Sequence, residues 1–188
     1  MNCTTYKTES ATTSFPPRPP RPPEPLWDNL PITLTILPRW VCWTYVLVKD
    51  WQTSTKPWSK RPLQVNGSPA SSTDRATWAP FEFVQCAYLA PANRTILFDG
   101  IGFTLTESDD VVAFDFDSVI QDGRLIDERV LRWLKLLDSY TEISPSGRGL
   151  RVIASGSLPP KDRKIANYEC YDNERFVTLT GNVFEIPA

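Results

Sequence analysis

The chain has 188 residues, enough for one domain with a real hydrophobic core, since 41% of them are apolar. Its formal charge of −2 is nearly neutral, which excludes a uniformly basic protein whose only task is to coat nucleic acid. Histidine is absent, so histidine bases, Ser-His-Asp triads and two-histidine zinc sites are excluded as well.

The near-neutral sum hides an asymmetry. Residues 26–98 carry seven basic and four acidic residues, and residues 99–188 carry ten basic and sixteen acidic. That division suits a basic lobe facing an acidic one across a cleft. Cys3, Cys42, Cys86 and Cys170 are far apart and form no C-x-x-C pair, so free thiols in a cytoplasmic setting are expected. No apolar run is long enough to span a membrane, and the N-terminus lacks the apolar core of a signal peptide.

In chain order, residues 1–25 are Ser/Thr-rich and then read SFPPRPPRPPEP. So many prolines exclude helix and sheet and favour polyproline II, so a disordered tail or spacer outside the fold is expected, followed by one domain over residues 26–188. Arg39 to Val48, RWVCWTYVLV, has the β-branched and aromatic content of a strand. Residues 49–67 carry Lys49, Lys56, Lys60 and Arg61 among prolines and tryptophans and read as a basic loop. Ser71 to Asp74 form a helix-start cluster, and Trp78, Phe81, Val84 and Tyr88 follow at helical spacing, which predicts a helix over Arg75 to Leu89 with Trp78 in the core. After a turn-rich connection at residues 93–100, Ile101 to Thr106 alternates as a strand does. The turn ESDD then leads into the next strand, so an antiparallel hairpin is expected.

That next strand, VVAFDFDS, ends in two carboxylates. Side chains alternate along a strand, so Asp115 and Asp117 share a face while Phe116 turns away. Like charges held so close repel, and a divalent cation relieves the repulsion, taking carboxylates on one side and substrate phosphates on the other. A solvated strand end would have the same two residues. Beyond it, Ile126, Val130, Trp133, Leu134 and Leu137 mark one face of a helix over Ile126 to Ser139, with Asp127 and Glu128 in its first turn. Tyr140 to Ser155 reads as strand, loop, strand. The loop at Ser144 to Gly149 suits either a phosphate cradle helped by Arg148 and Arg151 or a tight hairpin turn. After the linker SLPPKDRK come strands over Ile165 to Tyr171 and Arg175 to Thr180. Glu169 projects from the first, toward either the same site or solvent.

With these elements in place the sequence resembles the archaeo-eukaryotic primase superfamily, in particular the primase-polymerase domains of phages, plasmids and other mobile elements. The motifs FDFD (114–117), SPSGRGLR (144–151) and YECYDNERFVTLTG (168–181) carry the match in order, supported by RWVCW, KPWSKRPL, ASSTDRATWAPFEF and DGIGFTLT. The resemblance covers residues 37–182. It implies an α/β (α+β) fold of two modules, the catalytic half like an RNA-recognition motif with a mostly antiparallel sheet, and the active site between them. It implies template-directed nucleotidyl transfer with Mg2+ or Mn2+, a single-stranded DNA template and (d)NTPs as partners, and in many members a replicative helicase domain. Residue by residue, Asp115, Asp117 and Glu169 match the metal ligands, and Ser146, Gly147 and Arg148 the loop that holds the triphosphate. The family's second motif usually ends in histidine, and Arg151 stands there. Arginine grips phosphate bidentately without titrating, so it is placed with the nucleotide-binding residues. Lys56, Lys60, Arg61 and Arg175 are candidates for DNA or phosphate contacts.

The sequence leaves two alternatives open. One is a primase-like module that binds nucleotide or DNA without polymerising. The other is a haloacid-dehalogenase-type phosphatase, whose first motif VVAFDFDSV resembles, although that motif normally opens its domain and here more than half the chain precedes it.

Overall fold

The computed structural model describes residues 14–90, 97–159 and 164–187. Two antiparallel sheets make the fold, and the α+β expectation holds; one apolar cluster is built on the first sheet and takes in Ala113 and Ile153 of the second, and the other lies between the second sheet and α3. The strands are β1 (Trp40–Leu47), β2 (Trp58–Leu63), β3 (Gly100–Leu105), β4 (Val111–Phe116), β5 (Ile120–Gln121), β6 (Arg124–Leu125), β7 (Tyr140–Ile143), β8 (Leu150–Ser155), β9 (Lys164–Ile165), β10 (Tyr168–Tyr171) and β11 (Arg175–Leu179). The α-helices are α1 (Ile32–Thr35), α2 (Phe81–Leu89) and α3 (Glu128–Leu137). One sheet has the order β11-β3-β1-β2 and the other β7-β8-β4-β10-β9; β5 and β6 form a small ribbon.

In the first sheet the two-residue period of β1 puts Trp40 and Cys42 toward α2, where they are fully buried with Phe103, Val84 and Leu34. Burial pushes the Cys42 thiol up to about 12, so it packs as a small apolar group. On the other face Trp43 lies flat on Gly100, where a Cβ would come within 2.6 Å of the indole, and its Nε1 donates to the Ile101 carbonyl at 3.0 Å. In the second sheet α3 covers the back. Asp127 caps it by accepting from Arg129 N, and Val130 and Leu134 bury against Phe116, Leu150 and Val152. Truncating a fully buried leucine such as Leu134 to alanine removes about 2–5 kcal/mol.

Several local expectations are corrected. β3 and β4 are not a hairpin: β3 pairs with β1 and β11, and β4 with β8 and β10. The turn between them is held by Arg39, which donates to Thr106 Oγ1 at 2.7 Å and to the Asp109 carboxylate, and it carries the chain from one sheet to the other. The basic loop at residues 49–67 contains β2. The helix expected over Arg75 to Leu89 is broken: Arg75–Thr77 is a single 3-10 turn, and α2 begins after Pro80, because proline is compatible with a helix start and not with its interior. Trp78 is half-buried, its Nε1 donating to the Ser71 carbonyl at 2.6 Å. Helix α3 starts after Asp127, which leaves Ile126 exposed. Ala166 and Asn167 form a turn between β9 and β10 rather than continuing one strand.

The tail outside the fold is also corrected, for the part described. Residues 15–25 lie on the domain, Pro25 is buried, and Leu30 and Leu34 belong to the first apolar cluster. Residues 1–13 with Cys3, the first half of the turn-rich connection at 93–100, and the middle of the linker SLPPKDRK fall outside the described residues. Among the described residues no helix is long and apolar enough to cross a membrane.

Candidate active site

One row of charged residues crosses the second sheet from edge to edge. Glu142 of β7 stands opposite Arg151 of β8, Arg151 opposite Asp115 of β4, Asp115 opposite Glu169 of β10, and Glu169 opposite Lys164 of β9. Directly paired positions on antiparallel strands share a face, so these five side chains leave the sheet on the same side. The signs run minus, plus, minus, minus, plus. Opposite charges alternate except at the centre, where Asp115 and Glu169 are neighbours.

Each central carboxylate leans on its own cation. Arg151 Nη2 donates to Asp115 Oδ2 at 2.7 Å, and Lys164 Nζ and the Tyr171 hydroxyl donate to the two oxygens of Glu169. Burial alone would raise the Glu169 carboxyl, and Lys164 with Tyr171 outweighs it, so the group sits below the usual carboxylate range. Asp117, just past the end of β4, is 49% exposed, and Lys56 Nζ lies 3.4 Å from its Oδ2. Its backbone N–H donates to the Asn167 carbonyl at 2.9 Å, which ties the D-x-D to the β9–β10 turn.

Arg151 is 5% exposed and joins the two sheets. Strand β11 is an edge of the first sheet, and its outward carbonyl at Thr178, together with the Thr178 hydroxyl, accepts from Arg151 Nη1. Two residues on, Thr180 N and Gly181 N donate to Glu142 Oε2, each at 2.9 Å. The open strand edge is therefore satisfied by two charged side chains of the other sheet. Burial raises the Glu142 carboxyl, while Arg151 and the donors around it pull the other way. Arg151 stays protonated, since the carboxylates of Asp115 and Glu142 more than offset its burial.

Between the sheets lies a cleft of about 1210 Å³. Asp115, Asp117, Glu169, Ser146, Gly147, Arg148 and Arg151 line one side, and Lys56, Lys60 and Arg175 line it from β2, its approach and β11. Arg175 stacks 4.6 Å over the Tyr171 ring and Lys60 5.6 Å over the Trp43 ring. Burial, with Arg151 nearby, pulls the Lys60 ammonium down to about 8, against the opposite pull of Asp115 and Asp117. Arg61 is the exception among the expected site residues. It alternates with Lys60 on β2, is exposed, and does not line the cleft.

The loop at Ser144 to Gly149 is a tight hairpin turn. Ser144 N donates to the Gly149 carbonyl at 2.9 Å, Gly147 N to the Ser144 carbonyl at 2.8 Å, and Arg148 N to Ser146 Oγ at 3.3 Å. These N–H groups are engaged within the loop. What the loop offers a ligand is the Arg148 guanidinium and the Ser146 hydroxyl, both on exposed residues. The motifs assign no role to Glu142, Lys164 or Tyr171, which the structure brings into the charged row or against Glu169. Glu142 had a signal, because a tight turn at 144–149 forces residues 142 and 151 into register.

The donor chemistry here suits a hard divalent cation: carboxylate oxygens, with two like charges adjacent at the centre of an otherwise alternating row. Among the described residues, however, no three acidic or cysteine side chains already stand close enough together to hold a metal ion. Their present partners are Arg151, Lys56 and Lys164.

No family model matches the chain. The chain is 37% identical over 127 residues to a DNA primase-polymerase of Nitratiruptor phage NrS-1, a match that covers 64% of this chain and 17% of that protein. The chain thus spans about a sixth of the length of this curated relative. The likeness supports a phage-type primase-polymerase reading.

Proposed function

We propose that this chain is a nucleotidyltransferase domain of the primase-polymerase kind, joining nucleotides on a single-stranded DNA template during replication of a phage or other mobile element. The observation that carries the reading is the Asp115–Glu169 neighbour pair, with Asp117 on the same wall, facing cations across a cleft of about 1210 Å³.

Asp115, Asp117 and Glu169 would hold Mg2+ or Mn2+. A bound divalent cation would acidify a primer 3′-hydroxyl and neutralise charge on the phosphates. The chain's own residues supply the rest. Arg148 and Ser146 reach the triphosphate from the hairpin turn, and Lys60 and Arg175 attract phosphate from the opposite wall, each oriented by the aromatic ring beneath it. Arg151 positions Asp115 rather than reaching out as a free phosphate ligand, because its forked nitrogens are committed to Asp115 and Thr178. No protein nucleophile or histidine is required for this chemistry.

The same cations favour a second reading. A carboxylate row already neutralised by Arg151 and Lys164 suits a module that binds nucleotide or DNA without joining it. The test is primer extension and unprimed synthesis on a single-stranded template, with Mg2+ and then Mn2+, comparing wild type with the Asp115→Ala/Asp117→Ala double variant. Product from wild type alone supports the transferase. Binding without product in any condition selects the non-catalytic module.

A further inference from the structure

Residues 15–25 read FPPRPPRPPEP, so Phe15, Arg18, Arg21 and Glu24 recur at every third position. A polyproline II helix has three residues per turn, which puts them on one edge. The structure uses that edge for attachment. Phe15 packs on Trp51 with ring centroids 5.1 Å apart, Arg18 Nη2 donates to Asp99 Oδ2 at 2.5 Å, Arg21 lies 5.1 Å over the Tyr88 ring, and Glu24 accepts from Trp27 Nε1 at 3.0 Å. A second edge, Pro16, Pro19, Pro22 and Pro25, is half-buried or buried, while Pro17, Pro20 and Pro23 are exposed.

Arg18 and Asp99 form a built latch. Asp99 is 3% exposed, and its Oδ2 also accepts from Thr44 Oγ1 at 2.8 Å and Tyr45 N at 2.7 Å. The far end is pinned where Leu26 N donates to the Thr180 carbonyl at 2.8 Å, beside Gly181, whose φ of +68° and lack of a Cβ admit the Leu26 carbonyl. Residues 19–23 then line the same cleft as Asp115 and Asp117.

We infer that this latched polyproline segment is the outer wall of the path taken by single-stranded DNA, with Arg21 as its phosphate contact. The identity of the strand rests on the nucleotidyl-transfer reading above. Arg18 spends its charge on Asp99, whereas Arg21 has no carboxylate partner among the described residues. A guanidinium stacked on a tyrosine ring is already oriented, so little is lost in ordering it on a phosphate. Proline rings add a stiff apolar surface with no N–H to compete for the strand.

The test is fluorescence anisotropy with an oligothymidine of about 16 nucleotides at several salt concentrations, on the full chain. The set is wild type, Arg21→Ala, Arg18→Ala, and Arg61→Ala as a charge-matched control away from the cleft. Arg21→Ala is expected to weaken binding about 3- to 10-fold and to lower the salt slope by about one, with Arg61→Ala close to wild type. Arg18→Ala is expected to weaken binding at least as much by releasing the latch. If Arg18→Ala fails to fold, judged by circular dichroism, Arg21→Ala decides alone, since it leaves the Arg18–Asp99 latch and the Leu26–Thr180 hydrogen bond in place. Wild-type binding with Arg21→Ala indistinguishable from Arg61→Ala overturns the wall and leaves the transferase reading standing. A wild type that binds no single-stranded DNA overturns both.

Discussion

Arg151 and Asp115 face each other across β8 and β4, and the guanidinium that holds the carboxylate at 2.7 Å also holds the Thr178 edge of the opposite sheet. One side chain therefore sets both the position of a carboxylate that lines the cleft and the seam between the sheets. Removing it would leave Asp115, Glu142 and the Thr178 carbonyl short of a partner. Arg151→Ala is expected to lose about 3–5 kcal/mol of stability, read from urea unfolding midpoints at constant m. Arg151→Lys keeps the charge without the fork and is expected to recover only part of it. A loss below about 1 kcal/mol for the alanine variant would remove Arg151 from the seam.

Glu169 and Glu174 both line the cleft, yet only Glu169 stands in the charged row. Glu169→Gln is expected to lower metal-dependent nucleotide incorporation about tenfold or more, with Glu174→Gln near wild type. Equal losses in steady-state rates would take Glu169 out of the site.

The hairpin loop offers a test of placement. A Cβ on Gly149 would come within 2.8 Å of the Phe116 carbonyl oxygen and 3.2 Å of Ser144 Oγ, so Gly149→Ala must push the loop off β4. The expected cost is about 1–3 kcal/mol, with weaker nucleotide binding. Gly147 has φ +71° and open space around it, so Gly147→Ala strains the backbone by about 1–2 kcal/mol through conformation alone. Thermal melts paired with nucleotide titrations separate the two, because only Gly149→Ala should displace Arg148 from its wall.

Lys60 carries a pH dependence. Its folded pKa of about 8 lies below the ordinary lysine value. Above about 8 the folded protein has released this proton while the unfolded chain still holds it. Stability from this group therefore rises as pH climbs from about 8 toward the ordinary value, and its full penalty applies below about 8. Attraction for phosphate runs the other way. Binding of single-stranded DNA is expected to weaken as pH rises through about 8, and Lys60→Arg to flatten the profile in anisotropy titrations. A wild-type profile already flat across that range would show that Lys60 does not face the strand.

Much of this was legible in the sequence because it depends on short-range periodicity. The two-residue alternation of VVAFDFDS placed Asp115 and Asp117 together and Phe116 in the core behind them, and the 3.6-residue period of α3 marked Val130 and Leu134 as buried. The residues of SPSGRG fit a phosphate cradle and a tight hairpin turn equally, and the structure forms the turn, with Arg148 at the cleft.

What the sequence determined by itself was thus the core strands and helix α3 and which side of each carries the chemistry, whereas β2, the break before α2 and the turn before β10 were not legible in it. Tertiary structure alone decided the partners. Alternation in IGFTLT is compatible with pairing to β4 or to β1, and Arg39 at the intervening turn sends the chain between sheets. The row from Glu142 to Lys164 brings together five strands, so no local pattern contains it. Arg151 reads as a phosphate ligand until Thr178 and Asp115 claim its nitrogens, and the proline-rich segment reads as a free spacer until Asp99 is buried beneath Arg18. The physical reason is the same each time: a side chain's period is set by its own backbone, whereas its electrostatic partner is set by residues far away in the chain.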